Sequence, residues 1–166
     1  YEAENTIGEL KKLMGTAAID IQHIGSTAIS SIHAKPIIDI VIDVRELNDI
    51  QPYINVLKES GFIFRGEDVP GQVLFVKGNF KEDLRTHYIH VVKWNGSEWN
   101  NYINFRDYLN AFPEKALIYD DCKQGLAIQF SSNRKCYTEG KRKLIDTFLE
   151  EARLWQTRQQ QNNSSL

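Results

Sequence analysis

The stretch HIGSTAISSIHAKPIIDIVIDV, residues 23–44, decides the fold of this chain. It combines the end of one strand, a tight turn at Gly25-Ser26, and a second strand that is entered through Pro36. A glycine at a strand exit lets the backbone turn sharply and approach a ligand closely, and a neighbouring serine or threonine is a good helix N-cap. The amide groups beyond such a cap attract an anion. The stretch therefore predicts a phosphate-binding turn at Gly25, Ser26 and Thr27.

The second strand, residues 37–44, carries two acids in an apolar run. Because side chains alternate along a strand, Asp39, Val41 and Asp43 share one face. A buried carboxylate is costly unless it is paired or binds a metal, so Asp39 is a candidate metal ligand or hydrogen-bond acceptor. Asp39 and Asp43 are separated by about 13 Å along a regular strand, which is too far for a two-carboxylate clamp. We therefore expect Asp43 to lie in water at the strand end.

These and later motifs resemble those of the GrpB family, which is grouped with the nucleotidyltransferase superfamily. The similar stretches are HIGSTA, AKPIIDI, HYIHVV at 87–92, FRDYL at 105–109, YDDCKQGLA at 119–127 and YTEGKRKLI at 137–145. They lie within residues 19–148, which is most of the chain. The resemblance implies an α/β (α+β) fold of the nucleotidyltransferase type, in which helices pack across a mixed, twisted sheet and the C-terminal half is helical.

The superfamily pattern is a Gly-Ser turn followed by a strand that bears Asp-x-Asp. Gly25-Ser26 and Asp39 match this pattern, whereas Val41 stands where the second acid would be. The resemblance implies that Asp39 is the catalytic residue and binds Mg²⁺ or Mn²⁺. It also implies that the turn holds phosphate groups, with Lys35 beside it.

Two histidines and three cations complete the candidate substrate-binding residues. His87 and His90 lie in a family-like strand, but residues three apart on a regular strand point to opposite faces. For each histidine, a structural hydrogen bond inside the sheet is an equal alternative. Arg106, Lys123 and Lys141 lie in matched helical stretches and predict an anion-binding wall facing Asp39 across a groove, although surface ion pairs are the ordinary role of such residues. The other two histidines, His23 and His33, are expected to be structural or on the surface.

The composition limits the classes of partner. The 166 residues carry a net charge of −2, with 42% apolar and 25% charged residues. This is ordinary for a soluble domain and argues against a general nucleic-acid binder, which is usually basic. No apolar run is long enough to span a membrane, so we expect no membrane partner. Two isolated cysteines, Cys122 and Cys136, predict reduced thiols and a cytoplasmic location, with a disulfide between them as the alternative.

The periodicity predicts one domain over residues 1–155 and a polar tail over 156–166. Its strands are expected at about 18–24, 36–44, 62–65, 72–77 and 84–93, and residues 66–71 are expected to form a loop. Helices are expected over 2–14 and 49–59, the latter capped by Asn48, and throughout the chain after Ser97. Pro113 is expected in the first turn of one C-terminal helix, and Thr138 is expected to cap the last.

Three functions remain open from the sequence. The first is an enzyme that transfers a nucleotidyl group from a nucleoside triphosphate to a small acceptor, using Asp39 and a divalent cation. The second, favoured by Val41, is a binding module for a nucleotide or another phosphorylated or acidic metabolite. The third is a metal-dependent hydrolase that uses Asp39, His87 and His90. Oligomeric state has no signal in the sequence.

Overall fold

The computed structural model describes residues 2–82 and 84–163, and for Arg134 and Asn163 it describes the backbone only. Its contacts divide the chain into two units. The first contains Tyr1–Ala28 and Ala34–Ile103, and the second contains Ile29–His33 and Asn104–Leu166. The single domain over residues 1–155 stays a prediction.

Five strands of the first unit form one mixed sheet, as predicted. The strands are β1 (Asp20–Ile24), β2 (Ile38–Val44), β3 (Ile63–Val69), β4 (Gln72–Asn79) and β5 (Leu84–Lys93). Their order is β1-β2-β5-β4-β3, and β2 and β5 are parallel while the other pairs are antiparallel. The central strands β2 and β5 are covered on both faces, which explains why β2 reads as a nearly continuous apolar run.

Each face of the sheet buries its own apolar cluster. One face packs against α1 (Glu2–Met14), whose Leu10 and Met14 are buried with Ile40, Ile42 and other strand residues. The opposite face buries Ile24, Val41 and Val92 with Trp99, which lies on α3 (Ser97–Ala111). The alternation predicted for β2 is therefore confirmed, because Ile38, Ile40, Ile42 and Val44 lie in the first cluster and Val41 lies in the second.

Two local predictions in the first unit need correction. The predicted loop at 66–71 is largely strand, because β3 continues to Val69 through register shifts around Gly66, whose φ of 81° suits a bulge. The predicted helix at 49–59 starts with a 3₁₀ segment, Leu47–Tyr53, and only Ile54–Glu59 (α2) is α-helical. Its N-cap is Glu46, which exchanges hydrogen bonds with Asp49, rather than Asn48.

The second unit is helical. It contains the C-terminal part of α3, then α4 (Pro113–Gln129) and α5 (Arg134–Asn163). Pro113 lies in the first turn of α4, as predicted. An aromatic core holds these helices with the segment Ile29–His33; its buried members are Ile29, Tyr108, Leu109, Ala116, Tyr119, Phe148 and Ala152.

The last helix differs from the prediction at both ends. It begins at Arg134, so Thr138 lies inside the helix and does not cap it. It continues to Asn163, so residues 156–163 of the predicted polar tail are helical, while 164–166 lie outside the described residues. Trp155 anchors this part of α5, because its ring packs against Tyr108 and Phe112. None of the helices described here is long and apolar enough to cross a membrane.

Candidate functional site

The Gly25 turn lies directly against the side chain of Asp39. Ile24 and Asp39 are register partners on β1 and β2, so the turn leaves β1 beside this carboxylate. Gly25 has a φ of 71°, and a Cβ added to it would lie 2.8 Å from both Cβ and Cγ of Asp39. Only glycine fits such a backbone beside such a neighbour. The predicted turn and the predicted acid are thus brought together.

Thr27 stabilises the turn through hydrogen bonds to both sides of it. Its hydroxyl donates to the backbone oxygen of Ile37 at 3.2 Å, and its Oγ1 lies 2.9 Å from Nε2 of His23. A hydroxyl has a single proton, so His23 donates from Nε2 and Thr27 accepts. Thr27 therefore positions the turn, and His23 has a structural role, as expected. Ser26 begins the short 3₁₀ segment Ser26–Ala28 that forms the turn.

The side chain of Asp39 lies beside an imidazole ring. Its Oδ1 lies 3.4 Å from Nε2 of His90, and the two side chains are 28% and 15% exposed. The parallel register places His90 opposite Val41, two residues along β2 from Asp39 and on the same face. Asp39 is therefore half-buried, and His90 lies on the Asp39 face.

A chain of polar side chains continues from His90. Its Nδ1 lies 3.4 Å from the Tyr102 hydroxyl, which donates to Oε1 of Gln72 at 2.6 Å. The Gln72 amide nitrogen in turn donates to Asp68, at 3.0 and 3.2 Å from its two oxygens. Burial raises the pKa of Tyr102, so its hydroxyl stays protonated and remains a donor at neutral pH. Sequence reasoning missed Asp68 and Gln72 as neighbours of the site.

The position of the second acid is part of the apolar core. Val41 is 0% exposed and packs with Ile24, Val92 and Trp99. A carboxylate there would be buried among apolar side chains without a partner. On this face the strand therefore offers one solvent-accessible acid, the half-buried Asp39, rather than a pair.

His87 lies on the other face of the sheet. It is buried, and its Nε2 is 3.1 Å from the hydroxyl of Thr6 on α1. Burial lowers the pKa of His87 below its usual range. The hydrolase that would use Asp39, His87 and His90 together is therefore inconsistent with the structure, because His87 is on the opposite side of β5 from His90. His87 fits the structural alternative.

Asp43 is not in water, and that prediction is wrong. It is 0% exposed, and its Oδ1 accepts a hydrogen bond from the backbone nitrogen of Asp20, its register partner on β1. Its Oδ2 has no hydrogen-bond partner among the described residues. Burial raises the pKa of Asp43 to about 6, and the hydrogen bond from Asp20 opposes this shift.

In the second unit, Lys123 holds a loop. Its Nζ donates to the backbone oxygen of His33 at 2.8 Å and lies 3.2 Å from Oδ1 of Asp120. Asp120 also accepts from the backbone nitrogen and Nδ1 of His33 and from Gln124. Burial raises the pKa of Asp120, but these donors outweigh it and lower the pKa to about 2. Sequence reasoning missed Asp120. This residue is one of two adjacent acids in YDDCKQGLA, and the sequence alone does not distinguish it from Asp121.

The other three predicted cations each have a different local environment. Nε of Arg106 donates to Asp107 at 2.8 Å, Nζ of Lys141 lies 4.3 Å from the centre of the Tyr137 ring, and Lys35 is exposed. The expected anion-binding wall of Arg106, Lys123 and Lys141 stays a prediction.

The donor set around Asp39 fits a weakly held divalent cation rather than a closed metal centre. No group of three or more histidine, cysteine or acidic residues in the described part of the chain could hold a metal. Mg²⁺ is commonly held by one or two carboxylates together with substrate phosphates and water, so a single carboxylate beside a phosphate-binding turn suits it.

Both cysteines are free, so the alternative disulfide does not form.

Similar proteins were found by sequence and by structure. Glutamate-rich protein GrpB of Alkalihalophilus pseudofirmus is 40% identical over 145 residues, covering 86% of this chain and 83% of that protein. YqkA of Bacillus subtilis is 35% identical over 158 residues; the match covers 95% of this chain but 45% of YqkA. The crystal structure of GrpB from Enterococcus faecalis matches with a TM-score of 0.84 and 27% identity, over 93% of both chains.

The family described as "GrpB protein" matches residues 2–151 of this chain. That range contains the Gly25 turn, Asp39 and the polar chain from His90 to Asp68. The expectation drawn from the motifs is confirmed: this chain belongs to the GrpB family.

Proposed function

We propose that the protein binds a nucleoside triphosphate at the Gly25-Ser26 turn, with a divalent cation on Asp39, and transfers its nucleotidyl group to a small acceptor. The observation that carries this proposal is the contact between Gly25 and Asp39. Because the turn lies against the carboxylate, phosphates bound by the turn would be within reach of a cation bound by Asp39.

The residues around the turn suit this ligand. Backbone amides in a tight turn can hold phosphate without extra charged side chains. Thr27 stabilises this turn through its hydrogen bond to the backbone oxygen of Ile37. A cation at Asp39 would neutralise phosphate charge, which is one of the contributions that metal ions make to phosphoryl chemistry. Lys35, which is exposed, supplies positive charge on the same loop. A nucleotide ligand also agrees with the expected cytoplasmic location.

A second candidate is a binding protein that holds the same class of ligand without transferring it. The burial of Val41 favours this candidate, because the second metal-binding acid of the superfamily pattern is replaced by a core residue. This binding protein would take a nucleotide, or another phosphorylated or acidic metabolite, at the same turn.

Thermal unfolding in the presence of single nucleotides tests both candidates, since a ligand that binds only the native state raises the melting temperature. ATP, GTP, CTP and UTP, each with Mg²⁺ or Mn²⁺, should give a shift for at least one nucleotide. Release of pyrophosphate by the shifted pair, in the presence of candidate acceptors, would then favour transfer, and binding without release would favour the second candidate. No shift with any nucleotide would contradict the first candidate, and no shift in a further series of phosphorylated and acidic metabolites would contradict the second.

A further inference from the structure

We infer that Asp39 and His90 form a two-residue site for a transition-metal ion, and that Tyr102, Gln72 and Asp68 set the histidine tautomer that this ion requires. The inference deepens the proposed function, on which it rests for the role of Asp39. It changes the chemical class of the cation from Mg²⁺ or Mn²⁺ to an ion such as Ni²⁺ or Zn²⁺, with Co²⁺ as the spectroscopic probe, because imidazole nitrogen suits these metals.

The direction of each hydrogen bond in the polar chain follows from Asp68. A carboxylate only accepts, so the Gln72 amide nitrogen must face it and donate, at 3.0 Å. The Gln72 oxygen is thereby turned to Tyr102, whose single hydroxyl proton it accepts at 2.6 Å. The amide orientation of Gln72 is thus fixed from outside the site.

The same reasoning sets the proton on His90. Since the Tyr102 proton is used on Gln72, the Tyr102 oxygen can only accept from Nδ1 of His90, which lies 3.4 Å away. A neutral imidazole carries one N–H, so with the proton on Nδ1 the lone pair is on Nε2. That lone pair belongs to the nitrogen nearest Asp39.

Two electron-pair donors therefore meet. Nε2 of His90 and Oδ1 of Asp39 are 3.4 Å apart, and in this tautomer neither has a proton for the other. A cation between them removes the conflict. Two ligands bound at about 2.0–2.2 Å in a tetrahedral arrangement are themselves about 3.4 Å apart, so the observed separation suits a shared metal ion.

The polar chain matches the usual surroundings of a metal-binding histidine. Such a histidine almost always donates its other ring N–H to a fixed acceptor, which holds the ring and the tautomer. Tyr102 is that acceptor here, and Gln72 is 3% exposed, so the arrangement is built into the protein. Tyr102 is thus a positioning residue that acts through His90.

Titration of the chelator-treated full chain with Co²⁺, without nucleotide, tests the inference. The visible absorption of bound Co²⁺ should appear for the native sequence and be lost in Asp39→Asn and His90→Ala. Tyr102→Phe should weaken binding by about 10- to 100-fold. The matched control is His33→Ala. The His33 ring is 90% exposed and contacts Asp120, and both residues belong to the second unit. This variant should bind Co²⁺ like the native sequence.

A second measurement separates positioning from a general effect on folding. In the Zn²⁺-loaded native protein, long-range ¹H–¹⁵N spectra should show His90 with the metal on Nε2 and the proton on Nδ1.

Binding of Co²⁺ that survives His90→Ala, or no binding at millimolar Co²⁺, would overturn the inference. Mg²⁺-dependent nucleotide binding would persist in that case, so the failure is distinguishable from failure of the proposed function.

Discussion

Lys123 donates a 2.8 Å hydrogen bond to the backbone oxygen of His33, at the end of the segment Ile29–His33. This segment follows the Gly25 turn in the chain and belongs to the helical unit. The lysine that the sequence predicts for anion binding is therefore already engaged with a carbonyl and with Asp120. Its contacts give it a structural role in holding the loop.

Replacing Lys123 with methionine should lower the free energy of unfolding by about 2–4 kcal/mol, because the buried carboxylate of Asp120 loses its cation and the backbone oxygen of His33 loses a donor. Urea unfolding measures this change. Lys135→Met is the control, since Lys135 is exposed and its nearest acid, Glu139, is 3.9 Å away, so its loss should be small. Equal losses in the two variants would contradict the structural role of Lys123.

Replacing Gly25 with alanine should destabilise the protein and disturb the candidate site. The left-handed backbone alone costs a residue with a Cβ about 1–3 kcal/mol, and the contact with Asp39 adds to this. Gly8→Ala is a matched control, because nothing lies within 4 Å of its added Cβ in the middle of α1. In that control the free energy of unfolding should rise by about 0.5–1 kcal/mol. Urea denaturation of the two variants measures both changes in stability.

The buried Asp43 should make stability fall as the pH rises. Its pKa is raised from 3.8 to about 6 in the folded protein, so between these values the folded state holds a proton that the unfolded state has released. Stability present below pH 4 is therefore lost as the pH rises through 6, on the order of 3 kcal/mol.

Asp43→Asn removes this titration while keeping an acceptor for the Asp20 nitrogen. Relative to the native protein, the variant should gain stability between pH 4 and pH 7.5, and unfolding at a series of pH values measures the difference. Asp146→Asn, at an exposed position, serves as the comparison for the loss of a surface carboxylate. A native-minus-Asp43→Asn difference that does not vary with pH would contradict the assignment.

Local sequence patterns were sufficient to predict much of the fold. The alternation in β2 predicts its two faces, and the strands around it are found near their expected positions, because period and turn residues are local signals. The same pattern identifies Gly25 and Asp39, whose meeting follows from one antiparallel register.

Long-range register explains what the sequence could not reveal. Asp43 looks like an exposed strand end until β1 places Asp20 opposite it. The neighbours of His90 come from β4 and α3, and no spacing along the chain relates Gln72 to Tyr102, thirty positions apart. Lys123 resembles any helical surface lysine until the carbonyl of His33 is brought to it.

Isothermal titration calorimetry with the native protein and Asp39→Asn tests the central claim most directly. Each is titrated with the nucleotide that gives the largest thermal shift, with and without Mn²⁺. The claim predicts binding by the native protein that depends on the metal, and affinity at least about tenfold weaker in Asp39→Asn, whose fold is retained because the change is nearly isosteric. Equal affinity in the two proteins, or binding that is unaffected by removal of the metal, would contradict the claim that the Gly25 turn and Asp39 bind one metal–phosphate ligand.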